Sequence, residues 1–269
     1  MQKMKTLALR VSGTAAVMSA FGFSARWMQT ISIFDEKTGL AESGALSSYL
    51  VVLLILGTAA GLAFLLFPTL SLGVSDCPAG DIRSDDKLYR SACAIIGGAM
   101  CVAGALIFLS CSEQAFPTLY RVLSVLAIFS GCGIIYTGLK GKADADSPLA
   151  SLFTLVPVFF GCFWIIVSYK AHSANPVVWQ YAIEILSIAA STVALYLMAG
   201  FVYCRPRIFA TAFMNGLAAL LCFMSLGDTR AVAFQIIFAC LGLYFIITDY
   251  YLVAGLDPSR GSHKHLKEN

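Results

Sequence analysis

Charged residues are scarce in this chain, and that shortage limits the kind of protein it can be. Of 269 residues, 12% are charged and 59% are hydrophobic, whereas a typical soluble domain has about 25% charged residues. A soluble fold needs charge to cover its surface, so the composition excludes an ordinary water-soluble domain. The formal net charge is only +3 and no basic run is present, so nucleic acid is not an expected partner.

Sequence motifs of enzymes and metal sites are also missing. The chain contains no G-x-S-x-G, Walker A, H-E-x-x-H or C-x-x-C pattern. Its three histidines, His172, His263 and His265, fall in predicted loops or in the C-terminal tail. Most of the nine cysteines lie within apolar runs, where a thiol packs as a small hydrophobe. We therefore expect free cysteines, no metal ion and no cofactor, and the sequence does not favour an enzyme.

Long apolar runs without any charge are what the sequence has in abundance. A helix needs about 20 residues to cross a bilayer, and the runs are of that length. The sequence predicts an all-α, polytopic transmembrane bundle of about eight spans. The charge-free runs are Ser43–Ser75, Ser91–Ser112, Val122–Leu139, Ser147–Tyr169, Ile208–Gly227 and Ala231–Thr248. The predicted spans are 6–27, 47–69, 91–111, 119–139, 149–169, 178–203, 208–226 and 231–253.

The first predicted span is the weakest, because Arg10 interrupts it. Lys3 and Lys5 followed by an apolar stretch also fit a cleaved signal peptide. Against that alternative, the stretch after Arg10 is diluted by serine, glycine and threonine. We expect the segment to be retained as a span, with the signal peptide as the other interpretation.

Lys and Arg positions predict the orientation, because cytoplasmic loops are enriched in both. Of the 18 such residues, only five fall on one side of the predicted spans. Both termini lie on the other, richer side and are predicted to be cytoplasmic, in a multi-pass protein of the inner or plasma membrane. The five predicted external residues are Arg26, Lys37, Arg121, Lys170 and Arg230.

The domain organisation predicted is a single transmembrane domain, 1–255, followed by a polar tail, 256–269. Eight spans also divide into halves, 1–142 and 148–255. An even number of spans in each half would make them a parallel four-plus-four repeat, as in some transporters.

Glu184, Ser187 and Ser191 form the strongest candidate for a ligand site. Their spacing of three and four places them on one face of the sixth span. A carboxylate inside a membrane is costly unless it is paired or hydrated, and one interpretation is a cation- or proton-binding group at the mouth of a polar cavity. The alternative is an interfacial Glu that reaches water, or an ion pair that only joins helices; Arg121, Lys170 and Arg26 are the predicted partners.

Two further polar positions lie in the seventh and eighth spans. Asn215 is predicted to hydrogen-bond to a neighbouring helix or to contribute to the ligand site. Asp249 is at the depth of Arg10, and an ion pair between them would join the first and last predicted spans; a proton relay is the other interpretation. Spans six to eight are thus predicted to enclose a polar cavity. Pro157 in the fifth span would either widen it by bending its helix or form a passive kink that neighbouring helices absorb.

Three classes of function remain open. The favoured one is a small-molecule or ion transporter, or a membrane subunit of one, with the bilayer, a small ligand and another subunit as the expected partners. The second is a membrane scaffold without catalytic activity. The third, a lipid-modifying enzyme, depends on the acidic cluster of Asp76, Asp81, Asp85 and Asp86, whose spacing also fits a solvated loop.

Overall fold

A computed structural model describes residues 2–33, 86–113, 116–139, 148–172, 178–203 and 205–255. All regular secondary structure in these residues is helical. The second predicted span, 47–69, with its Gly57 and Gly61, lies outside them, as do Asp76, Asp81, Asp85 and the predicted tail. The helices are α1 (Gln2–Ile33), α2 (Lys87–Ser110), α3 (Pro117–Leu139), α4 (Pro148–His172), α5 (Val178–Val202), α6 (Ile208–Ser225) and α7 (Val232–Ala254).

Each of the seven helices is long and apolar enough to cross a membrane. The protein is therefore a multi-pass helical membrane protein, which confirms the predicted fold class. The least apolar helix is α1, with a mean hydropathy of 1.2 over its best window against 2.4 for α2. This agrees with the prediction that the first span is the weakest.

Several helix ends follow directly from the sequence. Pro117 and Pro148 open α3 and α4, at the first helical position, where a missing N–H costs nothing. Asp86 caps α2 by accepting a hydrogen bond from the Leu88 N–H at 3.2 Å. Its other oxygen accepts one from the Tyr251 hydroxyl at 3.1 Å. The one described member of the predicted acidic cluster is thus used for capping and helix docking.

The helices pack in the order of the chain. Each helix from α2 to α7 packs against the next, α7 also packs against α2, and α1 packs against α6 and α7. Trp164 of α4 is buried in the middle, with its ring near those of Phe160, Phe234 and Phe238. Large apolar side chains such as Ile95 and Leu109 remain exposed on the outside, as expected where a bundle faces lipid.

Glycines on α2 and α3 form the closest helix–helix contact. A Cβ on Gly97 would lie 2.6 Å from the Gly131 carbonyl oxygen, and one on Gly104 would lie 3.0 Å from that of Ser124. Without a hydrophobic drive between helices in lipid, such close backbone approach supplies packing energy. The small residues of α2 therefore form an internal helix–helix contact with α3.

Pro157 is buried within α4, and the helix continues through it. A cavity of only about 40 Å³ adjoins it. The cysteines that the structure describes are all free, as predicted.

Candidate polar cavity at the outer end

Four charged side chains meet at the end of the bundle that the Lys and Arg distribution predicts to be external, here called the outer end. They are Arg26 of α1, Glu184 of α5, and Asp228 and Arg230 from the connection between α6 and α7. We call these four residues the outer cluster. Three separate parts of the chain therefore contribute to one charged group.

The outer cluster is a chain of alternating charges. Arg26, only 1% exposed, donates from Nε to Asp228 Oδ1 at 2.7 Å and from Nη1 to Gln29 Oε1 at 2.8 Å. The second oxygen of Asp228 accepts a hydrogen bond from Arg230 Nη2 at 2.8 Å. Arg230 in turn pairs with Glu184. Each carboxylate therefore neutralises a neighbouring guanidinium.

Glu184 has two further neighbours on α4. Its Oε1 accepts a hydrogen bond from the Ser168 hydroxyl at 2.7 Å, and its Oε2 lies 3.5 Å from His172 Nε2. The His172 ring stacks on Tyr181 with centroids 5.0 Å apart. These contacts join α4 to α5 beside the ion pairs.

Burial changes the proton affinities in the connection between α6 and α7. It raises the pKa of Asp228 above its ordinary value, and the neighbouring Arg26 guanidinium limits that rise. Burial, together with the positive charge of Arg26, lowers the pKa of Arg230 to about 10. Arg230 therefore remains a cation at neutral pH. With all four groups ionised, the formal charges of the outer cluster cancel.

Gly227 allows the connection to approach α1 closely enough for the ion pair. A Cβ at this position would lie 2.8 Å from the Trp27 backbone nitrogen and 3.1 Å from Arg26 Cβ. Any larger residue would push the connection away from α1, and Asp228 follows directly in the chain. Gly227 thus positions Asp228 against Arg26.

Replacing Gly227 by alanine is expected to lower the melting temperature of the detergent-solubilised protein, because overpacking costs about 1–3 kcal/mol. Gly13→Ala is the control. Gly13 lies on α1, the helix that Gly227 approaches, and a Cβ there meets nothing within 4 Å. In an Asp228→Asn background the cost of Gly227→Ala should shrink, because the ion pair it displaces is already lost. Equal costs in both backgrounds would contradict a positioning role.

A cavity of about 340 Å³ opens beside the outer cluster. All four members of the cluster line it, together with Ser168, His172 and Thr30. Its lining also contains three aromatic rings: that of Phe234 lies 5.9 Å from that of Trp164 and 6.2 Å from that of Tyr120. The cavity therefore combines charged and aromatic side chains, a lining typical of small-molecule sites.

The three residues predicted to share a face of the sixth span, which is α5, have different surroundings in the structure. Glu184 lies in the cavity, but Ser187 is hydrogen-bonded at 2.6–2.7 Å to the carbonyl oxygens of Ile183 and Leu221. Ser191 lies 3.1 Å from Cys222 Sγ. Both serines thus belong to the contact between α5 and α6.

The cavity also lies elsewhere than predicted. We expected spans six to eight, which are α5 to α7, to enclose it. Its lining instead comes from α1, α3, α4, α5, α7 and the connection before α7, and no lining residue belongs to α6. The small residues of α6 bring it into direct contact with α1 and α5.

Asn215 and Asp249 lie together in the other half of the bundle. The Asn215 amide donates from Nδ2 to Asp249 Oδ1 at 2.8 Å, and both side chains are fully buried. Arg10 is exposed on the outside of α1. The structure therefore does not form the predicted Arg10–Asp249 ion pair, because Arg10 faces outward while Asp249 points between helices.

Three residues of the site, Asp228, Arg230 and His172, are absent from the site predicted from the sequence. Arg26 is a predicted partner of Glu184, whereas the histidines are predicted only to lie in loops or in the C-terminal tail. One signal was present: residues 227–231 form a short connection between two apolar runs and contain both an acid and a base. Opposite charges in such a short loop indicate a fixed ion pair at a bundle end.

Comparisons with family models, with curated proteins and with solved structures find no match for this chain.

Proposed function

We propose that the protein is a membrane transporter, or the membrane subunit of one, and that the outer cavity binds a small dipolar organic solute. The observation that carries the proposal is the 340 Å³ cavity with two arginines and two carboxylates in its lining. A volume near the lower end of the usual range for ligand pockets favours a small molecule.

The balance of charge favours a zwitterion over a simple ion. A cavity with net positive charge would select an anion, but the charges of Arg26, Glu184, Asp228 and Arg230 cancel. A solute with both an anionic and a cationic group matches the alternating charges. Its apolar or planar part would pack on Trp164, Tyr120 and Phe234, which also line the cavity.

The ion pairs suggest how binding is linked to movement. They connect α1, α5 and the segment before α7, and so fasten these parts together at the outer end. A zwitterion that offers its own charges to Arg230 and Glu184 replaces contacts between helices with contacts to itself. Binding and helix separation then share the same side chains, which is the differential interaction that a ligand-driven conformational change requires.

One observation supports a second candidate, a membrane scaffold. Each carboxylate of the outer cluster already has partners within the chain, so the cluster stabilises the bundle without any ligand. A scaffold predicts that the cavity remains empty of solute and that a protein partner is retained on extraction.

Native mass spectrometry of the protein, extracted gently from its own membrane, tests the two candidates. A transporter is expected to retain a stoichiometric small-molecule adduct that Glu184→Gln removes. Ser191→Ala is the control variant, because Ser191 lies on the same helix but does not line the cavity, and it should retain the adduct.

Other outcomes decide against the proposal. An adduct retained by Glu184→Gln places the ligand elsewhere, and one lost in both variants reflects damage to the bundle. A co-purifying protein subunit without any small ligand favours the scaffold.

A further inference from the structure

A second polar group lies buried in the half of the bundle opposite the outer cluster. Asn215 of α6 and Asp249 of α7 are both 0% exposed, and the 2.8 Å bond from Nδ2 to Oδ1 joins them. Asp249 lies five residues before the end of α7, about 8 Å along the axis. The pair is therefore inside the membrane-spanning part of the helices.

The remaining oxygens of this pair are not hydrogen-bonded. Asp249 Oδ2 and Asn215 Oδ1 are both buried and have no partner. Two buried acceptors without donors, in adjacent side chains, cost several kcal/mol in an apolar environment. An ionised carboxylate with a single neutral amide as its partner costs still more.

In the described ranges, no ion pair joins Asp249 to a basic side chain. The described cations towards this end of the bundle are Lys5 and Arg10 of α1, Lys87 and Arg90 of α2, and Arg205 and Arg207 before α6. The other titratable groups of these elements near this end are Asp86, Tyr89 and Cys93, and α7 itself adds Tyr244, Tyr250 and Tyr251.

A proton on Asp249 removes both difficulties. The protonated Oδ2 becomes a donor, and Asn215 Oδ1, in the side chain already bonded to Asp249, is an acceptor without a donor. The acid and the amide then form a reciprocal pair with two hydrogen bonds and no net charge. Both oxygens of Asp249 and both polar atoms of the Asn215 amide then have a hydrogen-bond partner.

We propose that Asp249 and Asn215 form a buried proton-binding site, in which Asp249 is held at neutral pH as the uncharged acid. A metal cation fits less well, because only two oxygens without partners are present and Mg²⁺ or Ca²⁺ takes six or more. The neighbouring Thr211 and Thr248 hydroxyls already donate to carbonyls of their own helices. The site does not depend on the outer cavity, so the two proposals stand or fall separately.

Proton loss from this site has a structural consequence. It would leave a buried anion between α6 and α7, and the anion would be stabilised by any conformation that admits water between these helices. Protonation then favours the closed contact between α6 and α7, and deprotonation favours an open one. This couples the occupancy of the site by a proton to the packing of two spans.

Infrared difference spectroscopy of the full-length protein in lipid nanodiscs tests the proposal directly. At pH 7 the carbonyl stretch of a protonated carboxylic acid is expected in the parent protein and absent from Asp249→Asn. Glu184→Gln is the matched control and should retain the Asp249 band. A parent spectrum at pH 7 without a band that disappears in Asp249→Asn would overturn the proposal, because the carboxyl group would then be ionised.

Thermal unfolding supplies a second test. Asparagine at position 249 can accept from and donate to Asn215 as a neutral acid does, so Asp249→Asn should melt within about 2 °C of the parent. Asp249→Leu leaves the Asn215 amide buried without a partner and should melt at least about 5 °C lower. If Asp249→Asn loses as much as Asp249→Leu, the negative charge itself is needed and the proposal is wrong. If Asp249→Leu fails to fold, the infrared comparison still decides.

Discussion

Replacing Arg26 by glutamine is expected to destabilise the protein by about 3–5 kcal/mol, the usual cost of breaking a buried ion pair by removing one partner. The Arg26 side chain is 1% exposed, and its Nε lies 2.7 Å from Asp228 Oδ1. Glutamine removes the positive charge and leaves Asp228 buried with Arg230 as its remaining cation. The loss should appear as a lower melting temperature of the purified protein in mild detergent.

Two comparisons make this prediction specific. Arg121→Gln makes the same change at an exposed arginine of α3, close to the same end of the bundle, and should change stability by less than about 0.5 kcal/mol. The double variant Arg26→Gln with Asp228→Asn should be more stable than Arg26→Gln alone, since it no longer leaves an uncompensated carboxylate. Equal losses for Arg26→Gln and Arg121→Gln would refute the buried ion pair.

Gly97→Ala is expected to be the most damaging single-methyl change among the transmembrane glycines of α2. The added Cβ would lie 2.6 Å from the Gly131 carbonyl oxygen and 3.2 Å from the Ile135 backbone nitrogen. Backbone atoms cannot rotate aside as a flexible side chain can, so α2 and α3 must separate. Overpacking of this kind costs about 1–3 kcal/mol and sometimes more, and here it disturbs an entire helix–helix contact.

The adjacent glycine is a matched control for this prediction. A Cβ on Gly98 meets nothing within 4 Å, so Gly98→Ala adds the same methyl group to open space. Alanine also favours the helix by about 0.8–1.0 kcal/mol relative to glycine. Gly98→Ala should therefore melt at or above the temperature of the parent, while Gly97→Ala melts well below it. Similar melting temperatures would mean that α2 and α3 do not pack through Gly97.

The spans were predictable because the lipid core disfavours charged side chains along most of the length of a helix that crosses it. A helix that crosses the bilayer rarely carries charge in the middle of its lipid-facing side, so the seven described helices coincide with spans predicted from the sequence. Prolines at 117 and 148 also indicated where α3 and α4 begin. Such features depend only on neighbours in the chain, and sequence patterns record them directly.

The partner of Glu184 was not predictable in the same way. Helical spacing placed Glu184, Ser187 and Ser191 on one face. Along that face, Glu184 lines the cavity, whereas the two serines contact α6. Which cation reaches Glu184 depends on the packing order and rotation of several helices. Arg26, Arg121 and Lys170 were equally plausible from depth alone, and the structure instead pairs Glu184 with Arg230.

The same limit applies to Asp249. Its depth suggested Arg10 as a partner, because both lie near the helix ends that are predicted to be cytoplasmic. The depth of a residue in the membrane does not indicate how its helix is rotated about its axis, and Arg10 is on the exposed side of α1. Asn215, predicted to bond to a neighbouring helix, provides the amide that Asp249 needs.

The bond between Arg26 and Asp228 joins residues 202 positions apart, and this separation has a consequence for biosynthesis. At about 5–20 residues per second, a ribosome needs roughly 10–40 s to make the chain between them. Throughout that interval the first helix carries an arginine whose carboxylate partner has not yet been made. The packing of α1 against α6 and α7 can therefore form only after those two helices have been made.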